Sequence, residues 1–153
     1  MRNSVDVHNH LVERDVRHEL LRVPGRLRTA ERLAAVLDLP PEQVGKIVVY
    51  EVDGSPVVAV VPSNETPDPD RVAKALGGTE VEPVSPARAS QLSDYIPEAI
   101  PPVALPAGFR VVMDRALAGH EVLYFSSGDP NAVLKLRGED LARATDAVVA
   151  DLV

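Results

Sequence analysis

The chain has 153 residues, within the span of about 100–200 expected of one domain, and its 45% hydrophobic content is enough to furnish a single core. Cysteine is absent, which excludes a disulfide framework, a thiolate zinc site and a thiol nucleophile. Sixteen basic against 23 acidic residues give a net charge of −7, which disfavours a protein that coats nucleic acid indiscriminately. Apolar runs such as Ile47–Tyr50 and Val57–Pro62 fall far below the roughly 18 residues that cross a bilayer. No apolar signal region opens the chain, so a cytoplasmic location is expected, with neither membrane nor DNA as partner.

In chain order, residues 1–13 are polar and lack periodicity, which predicts a loosely held arm over 1–16, although Leu11, Val16 and Leu20 are spaced so that either a helix or a strand could start there. Six arginines and three acids between Arg14 and Arg32 make that stretch +3 against −10 elsewhere, one basic surface on an acidic body. Thr29 is a hydroxyl N-cap before Ala30, Leu33, Ala34 and Leu37, which share a helix face that Pro40 and Pro41 terminate. Lys46–Val52 and Val57–Val61 read as strands, and Asp53-Gly54 as the tight hairpin turn between them, because that pair accepts positive φ. Asp70–Leu76 has helical spacing up to Gly77-Gly78, Val81–Val84 is a short strand, and Ser85-Pro86 caps a helix running to about Leu92. Pro97, Pro101, Pro102 and Pro106 remove four backbone donors within ten residues, so Tyr95–Ala107 must be a preshaped loop. Strands follow at Phe109–Met113, Glu121–Phe125 and Val133–Leu136, joined by the Ala118-Gly119 turn and the Ser126–Asn131 loop. A closing helix is predicted over Glu139–Leu152, from Leu141, Ala144, Val148 and Leu152 on one face. Hairpins mixed with short helices point to an α/β or α+β chain on a single, mixed and curved sheet with flanking helices. Walker, dinucleotide-binding, nucleophile-elbow and zinc-protease motifs are all absent.

The order of a Thr29-led helix, Val44-Gly45-Lys46 entering a hairpin, a Pro/Tyr loop after a small helix, then Val112-Met113-Asp114 and Ser127-Gly128 resembles the YbaK-like family of aminoacyl-tRNA deacylases. Relatives of that family include the editing insertion of bacterial prolyl-tRNA synthetases. The resemblance covers about residues 17–152, implying a YbaK-like domain over 17–153 behind the arm. It rests on order and spacing, since each motif alone is weak.

By position alone, Lys46 is a solvated strand-end cation; the resemblance implies that it lies in the pocket, holding a phosphate or polarising a carbonyl. The family loop of type Gly-Tyr followed by Gly-x-x-x-Pro is matched here at Tyr95 and Pro102, while Asp94 and Glu98 stand where glycines are usual. Glu98 either brings bulk and negative charge beside an expected oxyanion, or points to solvent while the prolines hold the loop. The turn Ser126-Ser127-Gly128-Asp129 can cradle an anion with successive N–H groups. Neither serine has an evident base, because His8, His10, His18 and His120 all lie away from it in sequence.

What the resemblance implies is hydrolysis, without metal or cofactor, of the ester on a mischarged tRNA. Water attacks while the vicinal ribose hydroxyl, or a group on the substrate, assists proton transfer. Lys46 positions the substrate, Ser126, Ser127, Gly128 and the Tyr95–Pro102 loop with Glu98 surround the oxyanion, Asp114 orients the loop or the amine, and Arg26 and Arg28 hold acceptor phosphates. The partners implied are the aminoacylated end of tRNA and an aminoacyl-tRNA synthetase. A rival reading is a catalytically degenerate member that binds aminoacyl-tRNA or a protein without hydrolysis. A second rival places His8 and His10 on one face of a strand as zinc ligands with His18, although both lie outside the region of resemblance.

Overall fold

The computed structural model describes all 153 residues, Met1–Val153. Its elements are α1 (Ser4–Glu13), β1 (Glu19–Arg22), α2 (Ala30–Val36), β2 (Gly45–Val52), β3 (Ser55–Pro62), α3 (Pro69–Ala75), β4 (Val81–Pro83), α4 (Pro86–Ser93), β5 (Arg110–Asp114), α5 (Arg115–Ala118), β6 (Leu123–Ser126), β7 (Ala132–Leu136), α6 (Gly138–Thr145) and β8 (Val148–Ala150), with single 3-10 turns at Pro41–Gln43 and Pro97–Ala99. The α+β class and the central hairpin are as expected. Asp53 and Gly54 adopt φ of 49° and 81°, and β2 and β3 pair in register from Gly45↔Pro62 to Val52↔Ser55.

Two expectations about architecture are corrected. The strands form two sheets instead of one: an antiparallel β1-β7-β6 sheet and a mixed β4-β2-β3-β5-β8 sheet in which β3-β5 and β5-β8 are parallel. A single bridge, Val44↔Tyr124, ties them at the entrance of β2. The closing helix ends at Thr145, half its expected length, because Asp146 turns left-handed at φ 51° and Val148–Ala150 then lies beside β5. Val148 and Leu152 fit an apolar helix face by spacing, but β5 offers an unpaired edge whose backbone groups need partners.

Residues 1–16 are likewise no loosely held arm. Asn3 caps α1 reciprocally with Asp6: the Val5 amide donates to Asn3 Oδ1 at 2.9 Å and the Asn3 amide to Asp6 Oδ2 at 2.8 Å. Val7 and Leu11 then share the main core with Tyr95, Phe125, Leu123 and Met113. A second cluster of Val57, Ala59, Val61, Val72 and Val112 packs the opposite face of the β2-β3-β5 sheet beneath α3, and a third seats α2 through Leu33 and Ala34 on Val44 and Val133. Successive residues of β3 alternate between the first two clusters, so both faces of this strand are buried and its sequence, Val57–Val61, is continuously apolar.

Candidate functional site

A cavity of about 270 Å³ lies where the two sheets meet. Its walls are the Leu27–Glu31 segment with Leu33, the start of β2 at Gly45–Ile47, the turn at Pro97, Glu98 and Ile100, and Ser126 with Asp129, Pro130 and Ala132. Gly45 makes this meeting possible: a Cβ there would stand 2.1 Å from the Phe125 ring, so only glycine lets β2 pass β6. Lys46 follows immediately. Its ammonium lies 2.7 Å from Glu31 Oε1 on the first turn of α2, and its side chain is only 24% exposed. That hydrogen bond is the leading cause holding the Glu31 carboxyl below the usual carboxylate range.

Glu98 projects into the same cavity at 20% exposure and is paired with Arg26, whose side chain is 54% exposed. The Arg26–Glu31 stretch is therefore tied to both walls by oppositely directed ion pairs, Arg26–Glu98 and Glu31–Lys46. Arg28 lines the cavity as well. The Ser126 hydroxyl donates to the Ile100 carbonyl and so closes the seam between β6 and the proline loop.

Other residues singled out from sequence are committed elsewhere. The Ser127 hydroxyl is buried and donates to the Ala132 carbonyl at 2.7 Å. The Gly128 amide donates to the Ala99 carbonyl at 2.8 Å, so it is not a free anion donor. Gly128 has φ of 97°, and a Cβ there would come within 2.7 Å of the Asn3 backbone. Asp114 caps α5 through the Ala116 amide at 2.9 Å and accepts the Leu152 amide at 2.9 Å, which fixes the C-terminal strand and leaves it outside the cavity. Tyr95 has no exposed surface; its hydroxyl donates to the Ala104 carbonyl at 2.8 Å, and burial pushes its phenol up to about 12. Pro102 lines a separate shallow cleft with His10. Asp94 takes the left-handed conformation at φ 64°, so the position usual for glycine keeps the glycine-like backbone with an aspartate.

Sequence reasoning missed one cavity residue, Glu31, and named the loops that hold Ile100 and Asp129 without singling out their amides. Glu31 as the partner of Lys46 gave no signal beyond its place in a helix first turn, where acids are common. Ile100 and Asp129 are cavity residues whose amides donate to no protein acceptor. Asp129 is itself held by α1, its Oδ2 accepting the Ser4 amide at 3.2 Å and the Ser4 hydroxyl, so the first helix braces the Ser126–Asp129 turn. The Asn3-x-x-Asp6 capping pattern was the available clue that this helix exists.

The histidines do not assemble as the zinc alternative requires. His8 and His10 sit on a helix, where residues two apart diverge. His8 Nδ1 meets His18 Nε2 at 2.8 Å, while His10 faces the other cleft. No three His, Cys, Asp or Glu side chains gather at metal-binding spacing, and no helix is long and apolar enough to cross a membrane.

Comparison with known proteins agrees with this geometry. Residues 25–144 match the family model of the aminoacyl-tRNA editing domain. The proline–tRNA ligase of Streptococcus equi subsp. equi (strain 4047) is 32% identical over 88 residues, and that of Streptococcus mutans serotype c (strain ATCC 700610 / UA159) 28% over 88. Each alignment covers 58% of this chain and 14% of the ligase, so the chain corresponds to a small part of those enzymes. Among solved structures, the hypothetical protein APE2540 superposes with a TM-score of 0.90 at 27% identity, covering 96% of this chain and 98% of that one. A proposed trans-editing enzyme for prolyl-tRNA synthetase superposes at 0.85 with 22% identity, covering 97% and 95%. The chain belongs to the aminoacyl-tRNA editing domain family.

Proposed function

We propose that this chain is a trans-editing deacylase that hydrolyses the ester between a wrongly attached amino acid and its tRNA, acting in the cytoplasm beside a synthetase, with residues 17–153 as the family domain braced by the first helix. The observation that carries this reading is one cavity that collects a largely buried lysine, an apolar lining of Leu27, Leu33, Ile47 and Ile100, and uncommitted main-chain amides, those of Ile100 and Asp129 among them. An aminoacyl ester needs those three things: a cation to position the ribose or phosphate, an apolar recess for the side chain, and donors for the oxygen that becomes negative.

In the proposed mechanism, water attacks the acyl carbon and the tetrahedral oxyanion is held by the N–H groups of Ile100 and Asp129, a role the engaged Gly128 amide does not fill. The ester C–O bond then breaks and the ribose oxygen takes the proton from the attacking water, relayed through the vicinal hydroxyl. Lys46 positions the acceptor end, exchanging Glu31 for the substrate. Arg28, within the cavity, and Arg26, at its rim, face the acceptor phosphates. Ser126 and Ser127 hold the seam and the turn through their carbonyl bonds, and Tyr95, Pro102 and Asp114 act through the backbone they fix.

Incubation with a panel of mischarged tRNAs tests the reading: amino acid release faster than buffer is expected, and Lys46→Ala should lower it by about a hundredfold if a buried-site cation is lost. Unaltered release from a folded Lys46→Ala protein would refute the site. Affinity for tRNA should fall steeply with salt, and neutralising Arg26 and Arg28 should flatten the slope. Glu98 within the cavity favours a second reading, a binder without hydrolysis, which predicts tRNA binding with no release from any member of the panel.

A further inference from the structure

Three carboxylates line the cavity, and they differ in what already holds them. Asp129 is bound from within by the Ser4 amide and hydroxyl. Glu31 is the partner of the sequestered Lys46. Glu98 has one partner, the half-exposed Arg26, which reaches it from the solvent side on the loop ahead of α2. Because the acid is the more buried member, the carboxylate belongs to the cavity while the guanidinium is the exchangeable part.

Glu98 also stands two residues before Ile100, whose amide donates to no protein acceptor. A bare carboxylate so near a developing oxyanion opposes the reaction, so a cation has to stand between them. Every aminoacyl ester carries such a cation: its α-ammonium is on the carbon bonded to the acyl carbon, so an acyl group seated at the Ile100 amide brings its ammonium into the neighbourhood of Glu98. Resting on the aminoacyl reading of this cavity, we propose that Glu98 recognises the substrate's α-ammonium, taking it in exchange for Arg26, and that the site thereby selects free aminoacyl esters over N-acylated ones. In the empty site Arg26 keeps the carboxylate neutralised; in the filled site the ligand does so, and Arg26 is released toward the acceptor strand. Selection is then a matter of rejection as well as attraction, since an N-acylated ligand leaves a desolvated carboxylate without a partner.

The test is binding, which does not depend on hydrolysis. Adenosines carrying alanyl, seryl, cysteinyl or prolyl groups through a stable 3′-amide link, each with a free or an N-acetylated amine, are titrated against the whole protein by calorimetry. The wild type should prefer the free amine by at least about tenfold, the size of one charge-assisted hydrogen bond. Glu98→Gln should reduce the preference to within about twofold, weakening the free-amine series and strengthening the acetylated one, from which the unpaired carboxylate has been removed. Arg26→Ala, which removes the competitor from a ligand that has no phosphate, should retain or enlarge the preference. Thermal melts check that each variant is folded. A Glu98→Gln protein that keeps the preference, or a wild type that binds both series equally, overturns the role of Glu98 while leaving the aminoacyl cavity standing. Failure of every analogue to bind overturns the aminoacyl reading and this assignment with it.

Discussion

Replacing Tyr95 with phenylalanine removes one hydroxyl from a side chain that has no exposed surface and keeps the ring in place. The hydroxyl donates to the Ala104 carbonyl at 2.8 Å, and the same carbonyl accepts Arg2 Nη1 at 2.9 Å. Ala104 therefore retains a donor in Tyr95→Phe, and the loss is the net worth of one hydrogen bond, about 1 kcal/mol. In an Arg2→Ala background the same change leaves a buried carbonyl with no donor, and the loss rises to about 2–3 kcal/mol. Arg2 also approaches Asp94 at 3.8 Å, but that contact is absent from both arms of the Arg2→Ala comparison and cancels. Urea denaturation of the four proteins should give a coupling of about 1–2 kcal/mol, and Tyr95→Phe alone should lower Tm by about 2–4 °C. Because the hydroxyl lies outside the cavity, deacylation should stay within about twofold, far short of the loss expected when an oxyanion donor is removed. Two results would refute the reasoning: stability losses that add within about 0.3 kcal/mol, as for independent sites, or a large fall in deacylation at unchanged stability.

Four further outcomes follow from the same geometry. The Tyr95 phenol is raised from 10.0 to about 12 chiefly by burial, so the folded state binds more protons than the unfolded state in that interval, and stability should fall as pH rises from 10 to 12; the alkaline decline should be shallower in Tyr95→Phe, measured by melts along a pH series. Glu31 is depressed below 4.5 first by the Lys46 hydrogen bond, so its contribution is present above that value and lost as pH falls through the lowered one. Since Glu31 is half exposed, Glu31→Gln should cost no more than about 0.5 kcal/mol at neutral pH and nothing in acid. Gly45→Ala forces the Phe125 ring out of a filled core and should cost about 1–3 kcal/mol by urea denaturation, with tRNA affinity falling as β2 shifts Lys46. Asp114→Ala leaves the amides of Ala116 and Leu152 without their carboxylate and should cost about 2–4 kcal/mol, read as a lowered urea midpoint with faster amide exchange at β8.

Local chemistry made much of the fold legible. The hairpin over β2 and β3 follows from β-branched runs around Asp53-Gly54, and the caps at Thr29 and Ser85 each accept the amide three residues on, from Arg32 and Arg88 at 3.1 Å. Such signals act within a few residues, so their outcome is settled before distant segments meet. The first helix escaped because its apolar positions are sparse: only Val7 and Leu11 face inward, and their burial depends on β6 and the proline loop arriving from more than 80 residues away. The C-terminal segment misled for the converse reason, since Val148 and Leu152 fit a helical period that the open edge of β5 overrides.

At the site, the family resemblance carried by the sequence pointed to Lys46, Glu98, Ser126 and the arginines, and the sequence by itself was enough to exclude thiol chemistry and to match the editing family. Which of these residues face one another was decided only by tertiary structure. Lys46 meets Glu31, Glu98 meets Arg26, and Gly128 is spent on Ala99, whereas Ile100 and Asp129 keep their amides free. The physical reason is range: a cap or a turn is a contract between neighbours in the chain, but an ion pair or an unclaimed N–H depends on which remote group reaches it first, and that is set by how two sheets close around a glycine.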